Sequence, residues 1–292
     1  MKKVKTTINI NSELWKRFSH LVIEERGYRK KNEIIEQFIR EYVQRSEGKE
    51  SHKINKAIIL AAGIGSRLIP LTSNVPKCLL KINSITILEH QVRNLKECGI
   101  KEITLVSGYR SDKIFRFCQE NSIDINLVYN KNYADTSNLY SLWFARNRIK
   151  GGFVCLNSDV VFDVEILKNL INSEGEICLA IDKKECIEED MKVTVENGFV
   201  TKIGKRIPRE KVYGEFIGLS KFTEKGSEKL FQILSNVPMD SKRSGYVALG
   251  IQQFINQGYK VNEFEIRRRF WADIDFIEDL NEVRAYLLTR PL

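Results

Sequence analysis

The sequence predicts an α/β protein whose main domain has a mixed, mostly parallel sheet flanked by helices. The first observation is a continuous apolar run at Lys56–Ala62, which is typical of a strand buried on both faces. The second is the alternation, after this run, of strand-like apolar segments with amphipathic helical segments, which predicts βαβ units. The third is the pattern of the first 46 residues, where one alternating run precedes two helical segments and predicts a small βαα domain.

Length and composition limit the function. The chain has 292 residues and a formal net charge of +9, which suits anionic partners such as nucleotides, phosphates or nucleic acid. No apolar run approaches the length of a membrane span, and the N-terminus lacks the apolar core of a signal peptide, so we expect a cytoplasmic protein without a membrane partner. The six cysteines follow no CxxC spacing, so we expect reduced thiols rather than disulfides or a zinc site.

A polar stretch divides the chain. Ser46–Asn55 has little apolar periodicity, which is typical of a linker. We therefore predict a small domain over residues 1–46, a linker over residues 47–55 and a large domain over residues 56–292. The small domain is the more basic of the two, residue for residue.

The small domain is predicted to contain one strand and two helices. Lys3–Asn11 alternates between polar and apolar side chains, as a half-exposed strand does. Asn11 or Ser12 can cap a helix with an apolar face that runs from Glu13 to about Glu25. A second amphipathic helix is predicted from about Asn32 to Gln44. Because one strand and two short helices cannot form a core alone at this size, we expect the domain to dimerise.

This arrangement resembles the ribbon-helix-helix family of DNA-binding dimers over about the first 45 residues. The resemblance implies that the strands of two chains pair and that Lys5, Thr7 and Asn9 read base edges in the major groove. Backbone amides near residues 30–32 would hold a phosphate. A DNA operator is then an expected partner of a homodimer. The alternative is a module that only dimerises the protein.

The large domain continues from its first strand as alternating helices and strands. In such a sheet, ligand chemistry lies at the carboxyl ends of the strands. The predicted elements, in order, are a helix at Ile87–Cys98, a strand at Glu102–Val106, a helix after Ser111, a strand at Ile125–Tyr129, a helix at Asn138–Asn147, a strand at Phe153–Leu156, and a hairpin at Met191–Lys205 that turns at Asn197-Gly198.

The segment from Ala61 to Leu80, AAGIGSRLIPLTSNVPKCLL, combines backbone freedom with constraint. Gly63 and Gly65 lack a Cβ, so the backbone can turn tightly and bring its amides against a ligand. Such a run of N–H groups after a strand is an anion site. Arg67 offers a permanent fork of donors for phosphate oxygens, and the two prolines hold Lys77 in place. Rigid cations of this kind suit phosphoryl chemistry.

Two acidic elements lie far apart in the sequence. Asp159 ends the motif Asn157-Ser158-Asp159, directly after an apolar strand. Asp273 and Asp275 are two positions apart, so on a strand both would face one side. Carboxylates from two such elements can hold one Mg²⁺, a hard ion that prefers oxygen ligands.

The order of these motifs resembles the nucleotidyltransferase family that makes nucleotide-diphospho sugars and related activated alcohols, whose pattern is GxGxR followed by PK. The likeness covers Lys56 to about Leu288 and implies the Rossmann-like fold of nucleotide-diphospho-sugar transferases. The resemblance assigns catalysis to Arg67, Lys77 and Asp159, and it implies that Asp159, Asp273 and Asp275 are ligands of Mg²⁺. The implied nucleotide-binding residues are Leu60, Ala61, Ala62, Gly63, Gly65, Ser66, Arg67, Lys77 and Gly108.

Within this family, Tyr129–Tyr133 followed by Ser137–Trp143 resembles the phosphocholine cytidylyltransferase branch. The resemblance implies CTP as the nucleotide and a small phosphorylated alcohol as the acceptor. It also implies that Asn138 and Ser141 line the site, whereas the neighbouring aromatic side chains are expected to form helix core.

Three further side chains are candidates for binding the acceptor, namely Tyr213, Glu215 and Trp271. A quaternary ammonium or a primary amine is bound by an aromatic box or a nearby acid, and these residues offer both. The alternative is that they pack as a layer of the sheet. An uncharged phosphosugar or inositol phosphate would need neither feature.

Together with the resemblance, these motifs imply Mg²⁺-dependent transfer of CMP from CTP to a phosphorylated alcohol or phosphonate, with release of pyrophosphate. A phosphate monoester is already a nucleophile at neutral pH, so no catalytic triad is required. A sugar-1-phosphate nucleotidyltransferase is one alternative. A DNA-binding regulator that uses the transferase domain as a ligand sensor is another.

Overall fold

The computed structural model describes residues 7, 9–26, 31–36, 38–39 and 54–289. Its internal contacts divide the chain into a small unit, residues 1–53, and a large unit, residues 54–292. Most of the predicted linker lies outside the described residues.

The small unit contains the first predicted helix. Helix α1 spans Ser12–Arg26, and the side chain of Asn11 caps it by accepting hydrogen bonds from the backbone N–H groups of Glu13 and Leu14 at 3.0 and 3.1 Å. Residues 31–36 and 38–39 are also helical, so the described helix begins one residue before the second predicted helix. Lys5 and most of the predicted strand lie outside the described residues, whereas Thr7 and Asn9 are described and exposed.

The large unit alternates strands and helices, and each predicted element from residue 56 to residue 157 is present with its ends shifted by at most two residues. The described strands are β1 (Lys56–Ala61), β2 (Lys81–Ile82), β3 (Ile85–Thr86), β4 (Glu102–Ser107), β5 (Asn126–Tyr129), β6 (Phe153–Asn157), β7 (Val160–Phe162), β8 (Ile177–Asp182), β9 (Lys192–Glu196), β10 (Phe199–Gly204), β11 (Gly214–Phe222), β12 (Asn262–Glu265) and β13 (Trp271–Asp273). The described helices are α2 (Ile87–Glu97), α3 (Ser111–Glu120), α4 (Asn138–Ala145), α5 (Val164–Asn172), α6 (Glu224–Ser235), α7 (Met239–Ser244), α8 (Val247–Asn256) and α9 (Ile277–Thr289).

One sheet of nine described strands organises this unit, in the order β5-β4-β1-β6-β11-β8-β12-β10-β9. Strands β5, β4, β1 and β6 are parallel, as predicted. Strand β11 then pairs antiparallel with both β6 and β8, and β10 pairs antiparallel with β12 and β9. Strand β12 is parallel to β8, so seven of the nine described strands run in one direction and only β11 and β10 run against it, which agrees with the predicted mixed, mostly parallel sheet. Strand β11 is buried along its whole length, so its sequence carries no sign of its direction.

The β9–β10 hairpin confirms the predicted turn. Asn197 and Gly198 both have positive φ angles, 52° and 79°, as a tight two-residue hairpin turn requires.

The apolar core fills both faces of the sheet, and a third apolar cluster anchors the glycine-rich loop. Leu68, which follows Arg67, is completely buried with Ile274 and with Leu280 of α9. Strands β7 and β13 pair beside this cluster, with Asp273 opposite Val160. The packing therefore brings the loop after β1, the end of β6 and the C-terminal acidic segment to one edge of the sheet.

Two expectations from composition can be compared with the structure. All six cysteines are free thiols, as expected. Among the described residues, no helix combines the length and the apolar character that a membrane span needs.

Candidate active site

A cleft of about 450 Å³ opens at the carboxyl ends of β1 and β6. It contains almost all the residues that the sequence analysis selected for nucleotide, metal and acceptor binding. Those that line it are Leu60, Ala61, Ala62, Gly63, Gly65, Ser66, Arg67, Lys77, Asn138, Ser141, Asp159, Glu215, Trp271, Asp273 and Asp275.

The loop after β1 forms one wall of the cleft. Gly65 has a φ of 69°, and a Cβ there would lie 3.3 Å from both Cβ of Lys77 and Cγ2 of Thr72, so a side chain would be strained and crowded. The Thr72 hydroxyl donates to the Gly65 carbonyl at 2.7 Å and closes the loop. None of the backbone N–H groups of residues 63–66 donates a hydrogen bond to another described residue. These free donors form a surface suited to phosphate oxygens.

Lys77 lies between two carboxylates. Its Nζ is 2.7 Å from Oδ2 of Asp159 and 2.8 Å from Oδ1 of Asp275. Nη1 of Arg67 is 2.5 Å from Oδ2 of Asp275. The Lys77 side chain is only 11% exposed, whereas that of Arg67 is 44% exposed. Lys77 is therefore a fixed cation, and Arg67 lies at the rim.

Burial and the neighbouring charges act on the pKa values of the groups in this cluster. Burial opposes the charge of Lys77, but the carboxylates of Asp159, Asp273 and Asp275 outweigh burial and raise the Lys77 pKa above its ordinary value. Burial would likewise raise the pKa of Asp275, but Lys77 and Arg67 hold it below its ordinary value. Burial, with repulsion from Asp159 as the second cause, raises the pKa of Asp273 well above its ordinary value. The cluster therefore holds more carboxylates than its two cations neutralise.

The same carboxylates fit a divalent cation. Oxygens of Asp159, Asp273 and Asp275 lie within 4.8 Å of one another. Oδ1 of Asp159 and Oδ1 of Asp273 are buried and accept no hydrogen bond from any described residue. A set of oxygen donors with unused buried lone pairs is the environment that Mg²⁺ prefers.

One part of the prediction for the acidic segment was wrong. Strand β13 ends at Asp273, so Asp275 does not lie on a strand. Its carboxylate nevertheless reaches the cluster because the backbone N–H groups of Asp275 and Phe276 both donate to Oδ2 of Asp279, at 2.8 and 2.7 Å. The Ile274 N–H donates to the Asp159 carbonyl at 3.1 Å and joins the two acidic segments.

The start of α4 forms the opposite wall. Nδ2 of Asn138 donates to Oδ1 of Asn157 at 3.2 Å, and its Oδ1 accepts from the Val247 N–H at 2.8 Å. The buried Ser141 hydroxyl accepts from Nδ2 of Asn130 at 3.3 Å. Asn138 therefore joins the end of β6 to the start of α8 while it faces the cleft.

Two of the three candidate acceptor residues line the cleft, and the third does not. Nε1 of Trp271 donates to Oδ2 of Asp182 at 2.9 Å, which fixes the orientation of the indole. The Glu215 carboxylate pairs with Lys184 at 2.7 Å. Tyr213 lies outside the cleft, where its hydroxyl donates to Oε1 of Glu263 at 3.3 Å.

Gly108 also lies outside the main cleft, in an open depression beside it. A Cβ on Gly108 would lie 2.6 Å from the Ala62 carbonyl oxygen, and the Tyr109 N–H donates to that oxygen at 3.2 Å. The structure thus places Gly108 against the back of the glycine-rich loop, where only glycine fits.

Sequence reasoning missed an ion pair on the cleft wall. Nζ of Lys205 is 2.8 Å from Oε2 of Glu189 and 5.7 Å from the centroid of the Tyr246 ring, and all three residues line the cleft. The one available signal was the position of Lys205 at the end of the predicted hairpin. No motif marks Glu189 or Tyr246.

Comparison with known proteins agrees with this geometry. Residues 57–189 match the model of the MobA-like NTP transferase domain. The chain is 27% identical to CTP:phosphoglutamine cytidylyltransferase of Campylobacter jejuni over 247 residues, which is 77% of this chain and 97% of that protein. It is 34% identical over 134 residues to choline-phosphate cytidylyltransferase of Streptococcus pneumoniae, which is 46% of this chain and 56% of that protein. The large unit is a nucleotidyltransferase.

A solved structure shows the same fold. The CTP:phosphocholine cytidylyltransferase LicC of S. pneumoniae matches with a TM-score of 0.66 and 26% identity, covering 80% of this chain and 98% of that one. The nucleotidyltransferase unit therefore carries the glycine-rich loop and the acidic elements on the sheet edge where the fold places its ligands.

Proposed function

We propose that this nucleotidyltransferase transfers CMP from CTP to a small phosphorylated alcohol or phosphonate and releases pyrophosphate. The observation that carries the proposal is the convergence, in one cleft, of free loop amides, two cations and three carboxylates. The names of the relatives support CTP, because both are cytidylyltransferases. Those names differ in the acceptor, which is phosphoglutamine in one and choline phosphate in the other.

In the proposed reaction, an oxygen of the acceptor phosphate attacks the α-phosphorus of CTP in line. A new O–P bond forms, the bond from the α-phosphorus to the bridging oxygen breaks, and pyrophosphate leaves with that oxygen. The loop amides of residues 63–66 and the cations Arg67 and Lys77 bind the phosphates and offset the charge that develops on them. Asp159, Asp273 and Asp275 would hold Mg²⁺, which supplies further charge neutralisation on the phosphates.

Pyrophosphate release in the presence of Mg²⁺ tests the proposal. CTP, UTP, dTTP, ATP and GTP are each combined with phosphocholine, phosphoethanolamine, 2-aminoethylphosphonate, inositol 1-phosphate and glucose 1-phosphate. We expect release with CTP and one or more of the first four acceptors, and its loss in Asp159→Asn. Asp163→Asn is the matched control, because that carboxylate caps α5 by accepting from the Glu165 N–H and lies outside the cleft.

Two results would contradict the proposal in different ways. Release with UTP or dTTP and glucose 1-phosphate would identify a sugar-1-phosphate nucleotidyltransferase. No release with any pair, together with nucleotide binding by calorimetry, would favour a regulator that senses a ligand through its transferase unit.

We also propose that the N-terminal unit is a ribbon-helix-helix module that dimerises the protein and binds DNA. Apolar side chains on α1 support dimerisation, because Leu14 and Leu21 are 61% and 56% exposed. Phe38 and Ile39 of the second helical stretch are 56% and 49% exposed. Such an apolar surface on a small unit is suited to a second copy of the same unit.

Light scattering and DNA binding separate the two parts of this proposal. We expect a dimer in the full-length protein and salt-dependent DNA binding that is lost in Lys5→Ala/Asn9→Ala while the dimer remains. A dimer that binds no DNA at low salt would leave dimerisation as the sole role of this unit. A monomer would contradict both parts.

A further inference from the structure

A lysine of the chain itself contacts the two candidate acceptor residues that line the cleft, Glu215 and Trp271. Nζ of Lys184 lies 2.7 Å from Oε2 of Glu215 and 3.9 Å from Oδ2 of Asp190. It also lies 5.1 Å from the centroid of the Trp271 ring, within the distance of a cation–π contact. An acid and an aromatic face are the features that recognise a quaternary or primary ammonium, and here both contact Lys184.

The groups that surround this ammonium are fixed by the fold. Glu215 lies opposite Asp182 in the pairing of β11 with β8, and Asp182 in turn accepts from Nε1 of Trp271. Asp190 accepts from the Ile187 N–H at 2.9 Å. These contacts orient the acid and the indole before any ligand binds.

Burial makes Lys184 the required counter-ion of Glu215. The side chains of Glu215 and Asp190 are 12% and 11% exposed, whereas that of Lys184 is 41% exposed. Burial raises the pKa of Glu215 above its ordinary value, and Lys184 opposes this effect. Removing one partner of a buried ion pair is costly because the other charge is left unpaired. Lys184 is therefore paired with Glu215 when no acceptor is bound.

We propose that Lys184 determines acceptor specificity by excluding acceptors with a cationic group distal to the phosphate. This inference rests on the proposed transfer reaction and names its acceptor class. Glu215 and Trp271 line the cleft, so the distal end of an acceptor reaches them beside the Lys184 ammonium. A choline or ethanolamine group would meet a like charge there, whereas a hydroxyl or amide group would find a hydrogen-bond donor. The acceptor is therefore a phosphorylated molecule whose distal end is uncharged.

Acceptor competition measures this specificity. With CTP, we expect kcat/KM of the unsubstituted protein for inositol 1-phosphate or glycerol 3-phosphate to exceed that for phosphocholine at least tenfold. In Lys184→Met, the value for phosphocholine should rise at least tenfold relative to the uncharged acceptors, with the KM for CTP unchanged. Lys183→Met is the matched control, because Nζ of Lys183 lies over the Tyr213 ring at 5.0 Å, outside the cleft.

A second variant shows whether the gain in kcat/KM for phosphocholine depends on the Glu215 carboxylate that Lys184→Met leaves without its lysine. In Lys184→Met/Glu215→Gln, the gain for phosphocholine should disappear because the carboxylate closest to the ammonium, that of Glu215, is removed. This double variant removes one positive and one negative charge together, so it tests this part of the cleft wall even if Lys184→Met alone does not fold. Lys184→Gln provides a polar alternative, and thermal unfolding checks each variant first.

Equilibrium binding separates failure of this inference from failure of the proposed reaction. Calorimetry with phosphocholine alone should show at least tenfold tighter binding in Lys184→Met, or in Lys184→Gln, than in the unsubstituted protein. Equal binding in these proteins, or a preference of the unsubstituted protein for phosphocholine, would overturn the role of Lys184. Absence of pyrophosphate release with every acceptor would instead overturn the transfer reaction, while the binding comparison would still decide the role of Lys184.

Discussion

At the scale of single residues, Lys77 controls the charge balance of the cleft. It is the most buried cation of the cluster and contacts both acidic segments, through Asp159 and Asp275. Without Lys77, three carboxylates would face one another with Arg67 as the remaining cation in contact with them among the described residues. One side chain thus serves the fold, as counter-ion, and the proposed chemistry, as phosphate ligand.

We therefore expect Lys77→Met to lose about 100-fold in pyrophosphate release, which is typical of removing one preorganised charged donor. Its thermal stability without divalent cations should fall, because the carboxylates repel one another. Added Mg²⁺ should raise the melting temperature more in the variant than in the unsubstituted protein. Lys81→Met, at an exposed lysine nearby, is the control. An equal effect of Mg²⁺ on all three proteins would contradict this account.

His90 provides a separate test by pH. Burial, with Arg93 as a weaker cause, lowers the pKa of His90 to about 4, and its ring nitrogen lies 3.0 Å from the Phe162 carbonyl. The folded pKa is below the ordinary value of 6.5, so the unfolded chain takes up a proton first as the pH falls. Stability from this residue is complete above pH 6.5 and is lost as the pH falls towards 4.

Urea unfolding at pH 7 and pH 5 checks the size of this effect. Between these values, the unsubstituted protein should lose about 2 kcal/mol more unfolding free energy than His90→Gln, which has no titrating ring. Parallel pH profiles of the two proteins would show that His90 does not titrate as its burial predicts.

At the scale of elements, the kink in β11 shapes the cleft wall. Gly218 has a φ of 82°, and the register of β11 against β8 shifts between Phe216 and Ser220. A Cβ on Gly218 would lie 2.6 Å from Nδ2 of Asn157, the residue that holds Asn138. The irregular strand therefore fits closely against the end of β6.

Gly218→Ala should consequently lose both stability and activity. The matched control is Gly198→Ala, at a φ of 79° in the β9–β10 turn, where an added Cβ would have nothing within 4 Å. Both variants incur the cost of a left-handed backbone, about 1 kcal/mol. We expect Gly218→Ala to lose at least about 1 kcal/mol more than the control in chemical denaturation, because the added methyl also crowds Asn157. CMP transfer should fall in Gly218→Ala alone, and equal losses in the two variants would contradict the contact.

The sequence predicted those elements whose signals are local. The glycine-rich loop, the hairpin turn at Asn197-Gly198 and the Asn11 cap each depend on the conformation of a few adjacent residues, and the structure has all three. The direction of β11 was not predictable, because a strand buried on both faces has the same apolar pattern in either direction. Glu189 follows β8 and Lys205 follows β10, so no local sequence pattern indicates that these two residues pair.

The candidate metal site also contains one residue that a local sequence pattern predicts and another whose position no local pattern predicts. Asp159 follows an apolar strand, which a short window of sequence can show. The position of Asp275 depends instead on Asp279 accepting from two backbone N–H groups, so a strand was predicted where the chain already turns. The residue types were sufficient to select Asp159 and Asp275 as candidate metal ligands. The backbone conformation that positions Asp275 could not be predicted from them.

At the scale of the whole molecule, the separation of contacts between residues 1–53 and 54–292 predicts that the nucleotidyltransferase unit works alone. Removal of residues 1–53 should leave kcat/KM for CTP within about twofold, because every residue of the proposed site lies in the large unit. Light scattering should show the mass change from dimer to monomer, since the exposed apolar residues proposed to dimerise, Leu14, Leu21 and Phe38, are removed. Full-length Lys5→Ala/Asn9→Ala, expected to remain a dimer, separates loss of DNA binding from loss of dimerisation. An inactive but folded large unit would show that the site depends on the dimer, and a dimeric large unit would place the interface outside residues 1–53.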